Sequence, residues 1–551
     1  MEELSVWIAE HIGARNVRIL TLLIIASCVD RRCSVRIVLS SGGFVTIPKR
    51  LTTSLMAFTG GCCIVATMSF IATPLGAQFP QPWLPGSVSA TGFQPVLPLF
   101  ELEPNATGSG STFNVNGPTN AATNPFFQAL GTNQRTCATC HQPANGMSIS
   151  AATVQQRYIE SFAQDPLFVP YDGANCPDAV KSQIPYLIGD PNNPRSLLLN
   201  RALIRIGLAW PPANVTPEFS ISVASDPTSC ELSPTYGINS RTPTVSVYRR
   251  SLMAANLKYV TTVGPGLVPP GVTLPIDPYT GLPETGNIMF DGREPTLQHQ
   301  AMDALLTHAQ AKTLPAATVI QQIVDFENGI YSAQAIDNQA QCLTDLGALG
   351  GPIMLWLSQP GILSSPNTFT IYSSWANLPW YDAQAQQRAS VARGEALFNT
   401  RSFTIYGVAG INDLAGGNIP GTCSTCHSNT FTGNDARPQA QLNAGTTGGS
   451  FALPAPDLPL FKLTCAAGKS TPFDGSTVYV RDPGLALITG KCADIGKVKS
   501  AQLRALAARA PYFHDGTAAT LQDVLNFYNK RFNINFTSQE MKDLLNFLLT
   551  L

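Results

Sequence analysis

The pattern Cys-x-x-Cys-His occurs twice, as Cys137-Ala138-Thr139-Cys140-His141 and as Cys423-Ser424-Thr425-Cys426-His427. This spacing lets two thiols add to the vinyl groups of one haem while the adjacent imidazole reaches the iron as its proximal ligand. Each copy therefore nominates one covalently bound c-type haem, two in all. Zinc sites and thioredoxin-like redox pairs also use Cys-x-x-Cys. The chain has only six histidines, however, and two of them follow these pairs directly. Four cysteines and two histidines would also offer six donors, a poor match to one tetrahedral zinc site.

At 551 residues the chain is too long for one ordinary core and implies about two to four domains. Two haem domains with insertions fit that range. Charged residues are 13% of the sequence against a usual ~25%, and 44 Gly with 43 Pro point to long irregular stretches. The 34 basic and 35 acidic residues leave no global field to attract nucleic acid or a membrane surface. Any docking partner must then be met by a local patch.

Residues 1–77 read as a leader rather than as fold. Lys49 and Arg50 precede an apolar, small-residue run from about Leu55 to Ile71, and Leu75-Gly76-Ala77 offers a small residue for cleavage before Gln78. That is the order of a secretory signal. A retained membrane anchor is the alternative, since the run approaches the ~18 residues of a spanning helix. Gly60, Gly61, Thr67 and Ser69 dilute it, so the mature chain is expected to carry no stable membrane span and to be periplasmic or otherwise exported. Outside the leader and the haem motifs stand Cys176, Cys230, Cys342, Cys465 and Cys492. In an oxidising compartment these are disulfide candidates. Nearness favours Cys176 with Cys230 and Cys465 with Cys492, leaving Cys342 over, although spacing alone does not fix connectivity.

Residues 78–124 are rich in Pro, Gly, Ser, Thr and Asn without periodicity and read as an extended linker. An N-terminal haem domain with a loop-rich insertion is expected over 125–388, and a C-terminal cytochrome c haem domain over 389–551, opened by the helical run Ala392-Arg393-Gly394-Glu395-Ala396-Leu397-Phe398. The expected architecture is mainly α, two cytochrome c-like domains joined by long loops. Thr520-Leu521-Gln522-Asp523 starts a helix in capping-box fashion. Leu521, Val524, Leu525 and Tyr528 then share one buried face.

Two further segments extend the pattern. Phe290-Asp291-Gly292-Arg293, with Leu297, Gln300 and Ala301 behind it, resembles the Trp-Asp-Gly-Arg segment of the bacterial di-haem cytochrome c peroxidases and of their relative, the methylamine dehydrogenase maturation enzyme. Pro511-Tyr512-Phe513-His514-Asp515-Gly516, followed by Thr520-Leu521 and preceded by Lys497 to Arg504, is similar to the C-terminal signature of that family. The resemblance covers roughly residues 125 to 145, 240 to 310 and 390 to 551. Its pieces occur in the right order, which makes them more specific together than singly.

The resemblance implies an oxidoreductase whose first haem, on His141, meets hydrogen peroxide and whose second, on His427, relays electrons to or from a small redox protein. No histidine occurs between His141 and His299, so the first haem is expected to be open, as in the maturation enzyme. Tyr528 stands where the peroxidases have a ligating methionine and the maturation enzyme a tyrosine, which makes it a metal ligand of the second haem. An ordinary core tyrosine with a hydrogen-bonded hydroxyl is the alternative. Gln300 matches the family's pocket glutamine, and Gln310 stands in place of an acid-base glutamate. A neutral amide can hydrogen-bond peroxide but shuttles no proton; His308 is placed to take over that function, or else to be a structural histidine. His514 is expected to brace a propionate or its own turn. Phe290 replaces the family's tryptophan between the haems. The family's interdomain calcium would draw on oxygens near Arg509 and Pro511, but Thr242 replaces its asparagine, so calcium is an option rather than a requirement. Two rival functions stay open: a non-catalytic electron-transfer cytochrome, and a haem oxygenase acting on an organic substrate.

Overall fold

Five of the longer helices start at a side chain that caps the first turn. The computed structural model describes residues 96–181, 186–262, 271–276, 283–358, 367–379, 381–438, 440–472 and 475–551, together with four short strands between residues 22 and 68. The expected signal and its cleavage point lie outside the described residues, apart from the strand Ala66–Met68. The longer helices are α1 (Ala151–Glu160), α2 (Leu297–Leu306), α3 (Ala317–Gly329), α4 (Ala383–Thr400), α5 (Leu521–Phe532) and α6 (Ser538–Leu549). Ser150, Thr296, Asp382, Thr520 and Thr537 each accept a backbone N–H of the first turn of α1, α2, α4, α5 and α6. A cap of this kind contributes about 1 kcal/mol. No helix among the described residues is long and apolar enough to cross a membrane.

The expectation of a mainly α fold is corrected by the structure, which is a mixed α/β fold with 32% helix, 19% strand and several small sheets. The strands are β1 (Phe100–Asn105), β2 (Gly108–Asn114), β3 (Leu203–Ala209), β4 (Phe219–Ser225), β5 (Thr244–Arg250), β6 (Ile330–Asp337), β7 (Gln341–Cys342), β8 (Leu460–Cys465) and β9 (Thr477–Val480). They pair antiparallel as β7-β6-β2-β1, as β4-β8-β9 and as a β5-β3 ribbon. Part of the signal is written plainly: Phe219, Ile221 and Val223 alternate with serines, and Phe461, Leu463 and Cys465 alternate with Lys462 and Thr464. Period two belongs to a half-buried strand, not to a loop. The hairpin β1-β2 lies inside the stretch expected as a linker. Its Gly108-Ser-Gly-Ser-Thr segment has almost no apolar alternation and becomes a strand because β1 and β6 flank it on both sides.

The main core crosses the boundary expected at residues 388 and 389. It joins Leu343, Phe369, Tyr372 and Trp375 to Val391, Phe398, Leu525 and Phe547. α4 and α6 meet at Gly394, where an added Cβ would lie 2.0 Å from the Asp543 carbonyl. Only glycine admits that approach. The same contact is tied by Arg393, which donates to both Asp543 carboxylate oxygens at 2.8 Å. β4 and β8 stitch the insertion to the C-terminal half.

Both favoured disulfides are present, Cys176–Cys230 and Cys465–Cys492. Cys342 belongs to neither, and its Sγ lies 3.3 Å from Thr344 Oγ1. The bridges close loops of 54 and 27 residues, for which chain entropy gives roughly 4 and 3.5 kcal/mol at 25 °C. Replacing Cys176 and Cys230 by serine should therefore lower the guanidinium midpoint slightly more than replacing Cys465 and Cys492. Equal midpoints to the parent in both cases would show that the bridges constrain nothing.

Candidate functional site

Two large cavities hold the two motifs. The first, about 1650 Å³ counted with the solvent it opens to, is lined by Cys137, Cys140, His141, Gln300, His308 and Glu327 among others. The second, about 1550 Å³, is lined by Cys423, Cys426, His427, Leu521, Leu525 and Tyr528 among others. Each haem-type motif thus opens onto its own cavity. Arg250, Ser251, Leu252, Phe290, residues 499–502 and Arg509 line both, and form a wall common to the two.

Each motif histidine is oriented by a backbone carbonyl. His141 Nδ1 lies 2.9 Å from Met147 O, and His427 Nδ1 2.7 Å from Gly433 O. A carbonyl can only accept, so Nδ1 carries the proton in each ring and Nε2 keeps a lone pair for a metal. Burial lowers the pKa of both imidazoles and holds them neutral. None of the four motif cysteines is in a disulfide, whereas four other cysteines are. Among the described residues neither motif belongs to a group of three or more His, Cys, Asp or Glu that could hold a metal ion.

The common wall carries an unbalanced charge. Arg250 donates to the carbonyls of Ile149 and Arg509, each at 2.7 Å. Lys499 donates to Asn287 O, and Arg509 to the carbonyls of Arg504 and Gln502. No ion pair joins any of the three to a carboxylate among the described residues. Burial pushes Arg250 down to about 9, Lys499 to about 8 and Arg509 to about 10, with Arg509 adding to the shift of Arg250. Arg250 and Lys499 are buried and Arg509 is half-buried, and Asp435 offsets only part of the effect on Lys499, so holding these cations here is costly. A group carrying carboxylates at the edge of each cavity would balance them, as the two propionates of a haem do. Thiols, an oriented imidazole and an anion-seeking wall together fit a c-type haem in each cavity.

Tyr528 sits where the helical spacing places it. The capping box between Thr520 and Asp523 starts α5, and Leu521, Val524, Leu525 and Tyr528 all face the second cavity. Its ring packs against Phe513, Phe527 and Phe532. The hydroxyl has no hydrogen-bond partner among the described residues, and burial raises the phenol pKa well above its ordinary value. His514 lines the same cavity, 4% exposed, with Nε2 3.7 Å from Asp482. Phe290 lies in the wall with its ring centroid 6.1 Å from that of His514.

The polar residues expected at the first cavity separate. Gln300 and His308 line it, but Gln310 is not among its lining residues. α2 ends at Leu306, so Gln310 leaves the helical face. It takes a left-handed φ of 54°, and its side-chain oxygen accepts from Asn133. His299 is exposed, with Nδ1 2.8 Å from the Thr296 hydroxyl. The Arg509 carbonyl, one of the oxygens near the calcium position, accepts from Arg250.

No family model matches the chain. Over 201 residues it is 32% identical to the cytochrome-c peroxidase IdrP1 of Denitromonas iodatirespirans, covering 32% of this chain and 46% of that protein. Over 77 residues it is 38% identical to the cytochrome-c peroxidase IdrP2 of Pseudomonas sp. (strain SCT), covering 13% and 21%. Over these stretches the chain is similar to proteins named cytochrome-c peroxidase. The matched stretches span less than half the length of either relative. A solved structure of a MauG-like protein associated with microbial copper homeostasis aligns at 19% identity over 54% of this chain and 80% of that one, with a TM-score of 0.27, and a fit that loose carries no argument.

Sequence reasoning missed the residues that hold the two cavities in place. Arg249 is fully buried and grips Asp482 with Nε at 2.7 Å and Nη2 at 2.9 Å, and Asp291 with Nη1 at 2.5 Å. Asp291 also accepts from Arg293, which lines the first cavity. Only Asp291 and Arg293 carried a signal, through the Phe-Asp-Gly-Arg segment. Glu327 was missed too, and burial raises its carboxyl to about 8.

Burial alone would raise the Asp482 carboxyl. Arg249, its hydrogen bonds, His514 and the Gly484 N–H together pull it from 3.8 to about 2. A carboxyl depressed in the folded state stabilises above its unfolded pKa, and that contribution is lost as pH falls through the folded value. Asp482→Asn should therefore destabilise the protein by roughly 3–5 kcal/mol at pH 7, because it leaves half of a buried pair. The difference from the parent should shrink as the pH falls from about 4 toward 2. Denaturant titrations across that range would check both points, and a difference independent of pH would refute the second.

Proposed function

We propose that this chain is an exported di-haem peroxidase-like oxidoreductase that reduces hydrogen peroxide, or uses it to oxidise a partner, with electrons relayed through the second haem. The observation that carries this reading is the pair of cavities, each with its own Cys-x-x-Cys-His motif, meeting at one cationic wall. Similarity to two proteins named cytochrome-c peroxidase supports it. Bound through Cys137, Cys140 and His141 in one cavity and Cys423, Cys426 and His427 in the other, haem would supply the redox-active iron for O–O cleavage and for electron relay.

The chain's own residues do the rest. Met147 and Gly433 fix the rings of His141 and His427. Arg250, Lys499 and Arg509 at the shared wall would hold carboxylates of the groups bound in the two cavities. Gln300 offers peroxide an amide hydrogen bond in the first cavity. Tyr528 presents a phenol oxygen to the second, and an oxygen donor in place of methionine would favour the ferric state. Two disulfides suit an oxidising, exported location.

One observation favours the rival reading as a carrier without catalysis. His308 lines the first cavity and its Nε2 has no partner among the described residues, so it is free to cap an iron. Spin states decide between the two. Intact mass after acid–acetone extraction should retain two haem increments, and the ferric protein should show one high-spin centre that binds cyanide without prior reduction. Two low-spin centres that ignore cyanide and peroxide would establish the carrier.

Tyr528→Phe keeps the packing against Phe513 and Phe532 while deleting the oxygen. Haem content should be unchanged, the second centre should turn high-spin or recruit another ligand, and its reduction potential should rise. An unchanged spin state and potential would make Tyr528 a core tyrosine.

A further inference from the structure

At the edge of the first cavity His308 Nδ1 lies 2.6 Å from Asp172 Oδ2. Asp172 is 2% exposed and its other oxygen is paired with Arg135. Arg135 stands two residues before Cys137 and also donates to the carbonyls of Pro166 and Leu167, each at 2.8 Å. The carboxylate is thus fixed to the segment that carries the first motif. Gly173 allows the close fold-back, since a Cβ there would lie 2.3 Å from Leu167 O. An ionised carboxylate only accepts, so His308 carries its proton on Nδ1 and keeps the Nε2 lone pair unclaimed. The His308 side chain is 31% exposed and also lines the cavity. It therefore touches solvent and cavity at once.

We infer that His308 is the proton-transfer residue of the first cavity and that Asp172, locked by Arg135, is its positioning residue, an inference that rests on the peroxidase reading above. His308 Nε2 takes the proton from one oxygen of a bound H₂O₂ and returns it to the other, which leaves as water as the O–O bond breaks. Two electrons from the small redox protein and two protons from solvent convert the remaining oxygen to a second water. Gln310, turned toward Asn133, takes no part. Asp172 supplies what an amide at position 310 lacks, a charged group that steadies an imidazole through both of its protonation states. The other titratable groups nearby are His141, which feels His308, Cys140, which feels Arg135 and Asp172, Tyr171, and Asp303, itself facing Arg293.

The test follows cyanide association and the peroxide reaction by stopped flow across pH, on the haem-bearing full chain. Hydrogen cyanide must lose its proton to bind as the anion, so its rate reads the base without turnover. His308→Gln should slow both reactions about a hundredfold, flatten the pH profile of cyanide association, and leave haem content and the ferric optical spectrum unchanged. Asp172→Asn should slow them by about tenfold and displace the pH profile. Because it also strips Arg135 of its carboxylate and risks the fold, His308→Gln is the deciding variant. A parent protein that reacts with both ligands while His308→Gln matches it in rate and profile overturns the relay and leaves the peroxidase reading standing. A parent inert to both overturns the two together.

Discussion

Arg249 is the interaction on which the arrangement depends. One buried guanidinium grips Asp291 and Asp482, and each of the three residues stands beside a part of the site. Arg249 precedes Arg250 at the end of β5, Asp291 follows Phe290, and Asp482 lies 3.7 Å from His514. Arg250 and Phe290 belong to the wall between the cavities, and His514 lines the second. A buried ion pair of this kind adds little net stability over an apolar packing of the same volume, but losing one partner costs several kcal/mol. Its value is therefore positional. It fixes β5, the segment after Ile288 and the turn after β9 against one another with a planar, bidentate geometry that a flexible lysine does not reproduce.

What could be read before folding was whatever chemistry is local. The two Cys-x-x-Cys-His motifs, the capping box at Thr520, the apolar face that carries Tyr528 and the pairing of Cys465 with Cys492 all involve residues near in sequence, or a periodicity visible within one turn. The strands β4 and β8 were also legible, since Phe219-Ser-Ile-Ser-Val and Phe461-Lys-Leu-Thr-Cys alternate, but Gly and Pro around them masked the pattern as loop. β2 was not legible at all, because its small polar residues acquire strand geometry only from β1 and β6. The site divides in the same way. His308 could be named from its place behind α2, yet Asp172 lies 136 residues away and nothing in the sequence marks it as that partner. Gln310 lies outside the lining of the first cavity for a local reason, the early end of α2, which no propensity argument fixes to within one turn.

The wall also explains how a chain with few charges can afford buried cations. Among the described residues Arg250, Lys499 and Arg509 hydrogen-bond to carbonyls and form no ion pair, with Asp435 the carboxylate felt by Lys499. Carbonyl contacts satisfy hydrogen bonds without cancelling charge. On the proposed reading further anions would arrive with the cofactor, whose carboxylates would offset the cost of holding these cations in the wall.

The two cavities differ in the way a division of labour requires. Around the second, Phe513, Tyr528 and Phe532 line the cavity and Phe527 packs behind them, while Lys530 of α5 is exposed. On the proposed reading these aromatic surroundings serve electron transfer. Around the first, Asp172, Arg135 and His308 bring a charged edge to the cavity, where on that reading protons enter and leave. Phe290 and the cationic strip are shared by both, so the difference in chemistry comes from opposite ends of a common wall. If the chain consumes peroxide as proposed, it needs proton traffic on one side and electron traffic on the other, and the polar network and the aromatic residues lie at different cavities.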